Sequence, residues 1–205
     1  MYKLIMTLGF GLGLVLVSAG VLAAGDVTRG EGLTATCVAC HGTDGNSPAG
    51  SFPNIAGQSE SYLYKQLVDI QSGARSAVLM TGILDGLTPQ DLADLATYYA
   101  AQAPAQGAAD PALVALGESI YKAGIARKKV AACTGCHSPT GQGNGLAKFP
   151  MLAGQWAEYT EAQLKAFRSG ARGNDGDSKM MRISAMDLSD PEIKAVSSYI
   201  AGLRP

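Results

Sequence analysis

Two short stretches carry residue types at a spacing that does chemistry. They are Cys37-Val38-Ala39-Cys40-His41 and Cys133-Thr134-Gly135-Cys136-His137. Both read C-x-x-C-H, the signature by which two thiols add to the vinyl groups of a haem while the following imidazole ligates the iron. Cys37, Cys40, Cys133 and Cys136 are therefore the candidate thioether attachments, and His41 and His137 the candidate proximal ligands. A thiol redox pair belongs with a βαβ pattern, which is absent. A single zinc held by both pairs is disfavoured: the pairs lie 96 residues apart and each carries its own histidine.

The far side of each iron needs a second donor. The chain has two histidines, both already assigned, so bis-histidine ligation within the chain is excluded. Methionine thioether is the usual remaining soft donor. Past the leader, Met80 is the one methionine of the first half, while the second offers Met151, Met180, Met181 and Met186. Met80 lies seven residues before Leu87 and Met181 seven before Leu188, so register selects Met80 and Met181 as axial ligands. Met180, one residue earlier, is the alternative, because the loop before it carries four extra residues. Met151, Met180 and Met186 are read as packing.

This register comes from an internal repeat. CVACHGTDGN answers CTGCHSPTGQ at an offset of 96, and FPNIAGQ answers FPMLAGQ at 97. Tyr62, Gln66 and Leu67 match Tyr159, Gln163 and Leu164, and SGAR at 72–75 matches SGAR at 169–172. Residues 24–102 and 112–205 are thus two copies of one unit, joined by an Ala/Pro/Gly-rich linker at 103–111. Each copy is small for a core of side chains alone, and a held haem fills that need. Pro53 and Pro150 follow their histidines closely, where a loop carbonyl can take the imidazole Nδ1–H; simple turn prolines are the competing reading. Arg75 and Arg172 recur, as propionate partners or as surface charges.

The elements that must position these residues are helical. Thr88-Pro89-Gln90-Asp91 opens a segment with Leu92, Leu95, Ala96 and Tyr99 on one face. Ser189-Asp190-Pro191-Glu192, a capping box, opens its counterpart with Ile193, Val196 and Ile200. Shorter helices are predicted before each C-x-x-C-H and over 59–72 and 156–169. Strand alternation is absent, so the fold class is all-α.

The first stretch, MYKLIMTLGFGLGLVLVSAGVLAAG, has one lysine, an uncharged apolar run and a small-residue end. It reads as a signal peptide, residues 1–23, cleaved after Ala23 or Ala24, with a retained anchor as the alternative. The remainder is expected in the periplasm. Apolar residues make up 47% and charged residues 16%, a globular composition. Net charge is −1, with no nucleic-acid footprint. The charge is divided unequally: residues 24–109 hold 3 basic and 8 acidic side chains, residues 110–205 hold 12 and 9. Part of the excess lies in Arg127-Lys128-Lys129. Such a dipole orients a molecule toward charged partners.

The motifs CVACHGTDGNSPA, FPNIAGQ, MTGILDGLT, CTGCHSPTGQGN, FPMLAGQ, NDGDSKMMR and SSYIAGL, in this order, resemble the cytochrome c4 family. The resemblance spans nearly all of the chain after the leader. It implies two tandem cytochrome c domains related by pseudo-twofold symmetry, each built around one covalent haem with His/Met ligation. It implies no catalysis on a small-molecule substrate and no nucleic-acid partner. The implied partners are a quinol:cytochrome c oxidoreductase complex and a terminal oxidase, with peripheral contact to the membrane. A dihaem electron-accepting subunit of a flavocytochrome-type dehydrogenase is the second reading. A dihaem peroxidase is a third, and needs an iron with an open site.

Overall fold

A computed structural model describes residues 24–205; the leader lies outside the described residues. The first unit comprises α1 (Val27–Gly32), α2 (Val38–His41), α3 (Glu60–Gln71) and α4 (Pro89–Ala100). The second comprises α5 (Val114–Ala123), α6 (Thr134–His137), α7 (Ala157–Ser169), α8 (Met180–Ala185) and α9 (Asp190–Ala201). Helices α1 to α4 correspond to α5, α6, α7 and α9; a 3₁₀ turn at Val78–Met80 stands where the second unit has α8. The described residues contain isolated bridges but no strand, as the sequence pattern predicts.

Local chemistry sets the helix starts. Asp26 caps α1 by accepting the Arg29 N–H at 2.9 Å. The capping box of α9 pairs Ser189 with Glu192, and α4 has the same device in Thr88 and Asp91, with a proline in each first turn.

Each unit packs its first helix across its last. At the crossing of α1 on α4, a Cβ on Gly30 would fall 2.1 Å from the Asp94 carbonyl oxygen. At the crossing of α5 on α9, a Cβ on Gly117 would fall 2.3 Å from that of Ala195. Only glycine allows backbones this close. The second unit then buries a broad apolar cluster, with Ile120, Tyr121, Ile193 and Val196 at 2% exposure or less. Each aliphatic side chain so buried contributes roughly 1.5–3 kcal/mol. The corresponding cluster of the first unit is smaller: Leu63, Leu95, Ala96 and Tyr99.

The units meet across a seam in which each repeated residue contacts the other copy. Gln58 donates to the Met151 carbonyl at 2.9 Å and accepts the Met151 N–H at 2.8 Å. Its counterpart Gln155 does the same with Asn54, at 2.8 and 2.9 Å. Arg75 donates to the Tyr159 hydroxyl at 2.8 Å, and Arg172 to the Tyr62 hydroxyl at 3.0 Å. This reciprocity is the mark of an isologous, pseudo-twofold contact. Residues 103–110 have no helix but are no loose tether. Asn46 accepts the Ala105 N–H at 2.7 Å, and Ser198 accepts that of Asp110 at 2.9 Å, so the segment is strapped to both units.

Candidate haem sites

In each unit the C-x-x-C-H residues form one helical turn. The His41 N–H donates to the Cys37 carbonyl at 3.0 Å and that of His137 to Cys133 at 2.9 Å. Positions i, i+3 and i+4 of a turn share a face, so both thiols and the imidazole are presented together. The turns stop abruptly, at Gly42 with φ 76° and at Ser138 with φ 65°. Tyr121 holds the second stop by donating its hydroxyl to the Ser138 carbonyl at 2.7 Å.

Both imidazoles are buried, at 8% and 6% exposure. His41 Nδ1 lies 3.0 Å from the Pro53 carbonyl, and His137 Nδ1 lies 3.0 Å from that of Pro150. A carbonyl only accepts, so each Nδ1 carries the proton and each Nε2 keeps its lone pair. Burial lowers both imidazole pKa values, more than the carbonyl bonds raise them. Each ring is therefore held neutral, oriented and able to ligate. Of the two readings open for the prolines, the structure gives the carbonyl role to both.

The thiols, the imidazoles, Met80 and Met181 all line one cavity of about 640 Å³ that runs through both units. Its wall includes Leu95, Phe149 and Val196. Among the described residues there is no cluster of three or more His, Cys, Asp or Glu side chains suited to a bare metal ion. The donor set fits haem in duplicate: paired thiols one turn apart, a neutral imidazole with a free Nε2, and a thioether, all in an apolar wall.

The methionines separate in space. Met80 and Met181 are half-buried; Met180 also lines the cavity but is 43% exposed. Met151 packs against the second unit's core, as read from sequence. Met186 does not: it is 56% exposed and, like Ile183, lies outside the cavity lining, whereas Met180 sits on the cavity wall. Arg75 and Arg172 are not solvated surface charges either. Both lie in the seam and line the cavity, and Arg172 is buried, with its guanidinium 4.6 Å over the Phe167 ring. Gln66 and Gln163 match within the repeat, and Gln58 and Gln155 end its FPNIAGQ and FPMLAGQ motifs; polar residues repeated in both halves without a chemical motif suit a surface that meets its own copy.

Two C-x-x-C-H turns, each with a carbonyl-oriented imidazole and a thioether on a shared apolar cavity in an all-helical chain, define a dihaem c-type cytochrome. The Cytochrome c family model matches residues 27–101 and 114–204. Cytochrome c4 of Azotobacter vinelandii is 50% identical, with 99% of this chain and all of that one covered. The crystal structure of reduced cytochrome c4 from Pseudomonas stutzeri superposes with a TM-score of 0.87 at 51% identity, covering 88% of this chain and 100% of that one. A more distant relative from Stutzerimonas stutzeri, named a thiosulfate dehydrogenase electron acceptor, is 40% identical over 82% of this chain and 78% of its own. The chain belongs to the cytochrome c4 family of electron-transfer proteins and carries two c-type haems, one per unit.

Proposed function

We propose that the protein is an exported electron carrier. It takes electrons from a quinol:cytochrome c oxidoreductase complex and delivers them to a terminal oxidase, in the periplasm and in peripheral contact with the membrane. Cys37 and Cys40 hold the first haem and Cys133 and Cys136 the second, by thioether bonds. His41 with Met80, and His137 with Met181, supply the axial donors. The observation that carries this reading is that each unit brings a buried neutral imidazole and a half-buried thioether to the same cavity. Donors on both faces leave no position for a substrate, which argues against a peroxidase and for a non-enzymatic role. Bound haem supplies a one-electron Fe(III)/Fe(II) couple. The chain keeps each imidazole neutral and oriented, packs apolar side chains against the cavity to exclude water, and fixes the two cavity walls relative to each other through the seam.

Two measurements test this. Cyanide and CO added to the native protein at neutral pH are expected to bind slowly or not at all; rapid binding would favour the enzyme. Added to membranes that contain the oxidoreductase complex and oxidase, the reduced protein is expected to be reoxidised with oxygen uptake, and failure of both complexes to exchange electrons with it would end the shuttle reading. A dehydrogenase-linked acceptor is the second reading, favoured by the relative named for thiosulfate dehydrogenase. Stable co-purification with a dehydrogenase would support it.

A further inference from the structure

The second unit has a feature with no counterpart in the first. Four residues separate α1 from Cys37, but nine separate α5 from Cys133. The additional chain folds into a tight finger at 124–130. Ile125 and Val130 pair as an antiparallel bridge, with N–H···O contacts of 2.9 and 3.2 Å, and both side chains are buried. At the tip, the Lys128 N–H donates to the Ile125 carbonyl at 2.9 Å and the Lys129 N–H to Ala126 at 3.0 Å. Lys128 bends back and binds Glu192 of α9 at 2.6 Å. The other two cations point outward. Arg127 is 78% exposed, its nearest carboxylate at 3.9 Å, and exposed Lys129 makes no ion pair among the described residues. The finger's base, Val130-Ala131-Ala132, lines the haem cavity and runs directly into Cys133.

We propose that this finger docks an acidic redox protein, and that the second unit is the end through which electrons pass to or from it. The inference rests on the electron-carrier reading. A finger braced by a bridge and an ion pair loses little freedom on docking. Two exposed cations, Arg127 and Lys129, within a Debye length steer an acidic face toward it. The base at the cavity wall brings that face close to the second haem. A bilayer is the poorer occupant. The tip exposes Ala126, Arg127 and Lys129, with no large apolar side chain to insert.

The test uses the holoprotein and oxidised plastocyanin, an acidic blue-copper protein, as probe. Arg127→Ser/Lys129→Ser is compared with Lys165→Ser/Arg204→Ser, which removes the same charge away from the finger. At low salt, the finger variant is expected to lower the bimolecular rate about threefold to tenfold and to flatten its salt dependence; the control variant changes it less than about twofold. Equal losses in the two variants would overturn the proposal, because only net charge would then matter. So would an unchanged plastocyanin rate accompanied by lost sedimentation with phosphatidylglycerol/phosphatidylcholine vesicles, which would make the finger a membrane contact. The carrier reading fails separately, and takes the proposal with it, if the wild type passes no electrons to plastocyanin or to ferricyanide.

Discussion

In the first unit, the crossing of α1 and α4 holds a charge; in the second, the same crossing is apolar. Asp94 is fully buried and accepts the Asp26 N–H at 2.8 Å and the Gln90 amide at 3.0 Å, while Arg29 Nε lies 3.0 Å from its other oxygen. The residue in register on α9 is Ala195, which simply fills space. The second unit compensates with its larger apolar cluster. Duplication thus preserved the haem-binding turns and the seam while the means of holding the helices together diverged. The first unit relies more on directed polar contacts; the second has more apolar packing of its own.

The largest expected effect probes whether the units are equivalent where the irons bind. Met80→Ala and Met181→Ala are each expected to remove about half of the far-red Fe(III)–sulfur charge-transfer band of the oxidised protein. Met180→Ala is expected to leave it intact. A band lost on Met180→Ala and retained on Met181→Ala would shift the second unit's register by one residue and break the equivalence.

A smaller effect separates the two crossings. Asp94→Ala strands the Asp26 N–H and removes one partner each from Gln90 and Arg29, which is expected to cost the first unit about 2–3 kcal/mol. Guanidinium unfolding followed at the haem absorption should then split into an early first-unit transition and an unshifted second one. Ala195→Asp, which buries an unpaired carboxylate, is expected to invert the order. A single transition in both variants would mean that the seam couples the units more strongly than their cores separate them.

The haem sites were legible in sequence because they are local. C-x-x-C-H is one helical turn and the proline carbonyl is a short loop away; the repeat's register singles out Met80 and Met181, and both line the cavity. The repeat also exposed the pairing of helices. What escaped was relational. The sequence shows Arg75 and Arg172 recurring, but not that each crosses to the opposite copy's tyrosine, since a pseudo-twofold contact pairs a residue with a different residue of the repeat. Likewise apolar type suggests burial for Met186, but it sits exposed just past α8. Nothing local in the sequence signals the burial of Asp94, because it depends on Gly30 bringing another helix over it.

The smallest effect concerns the caps, where the two units use the same box at different strengths. Asp91 is held below the usual carboxylate range by the Thr88 hydroxyl and N–H, with solvent around it. Burial alone would raise Glu192. The Lys128 hydrogen bond and the Ser189 N–H and hydroxyl outweigh it, and hold Glu192 down to about 2 against an ordinary 4.5. A depressed pKa means that the folded state favours the carboxylate. Its contribution is full above pH 4.5, declines as the pH falls toward 2, and is gone below that. With screening by solvent the loss is on the order of 1–2 kcal/mol. The second unit's transition in guanidinium should therefore weaken with acid over this window, and Glu192→Gln should flatten that slope. Lys128→Met should reduce it as well, because the same lysine braces the basic finger against α9. An acid slope unchanged in Glu192→Gln would show that the carboxylate titrates alike in the folded and unfolded chain, and the two caps would then be equivalent after all.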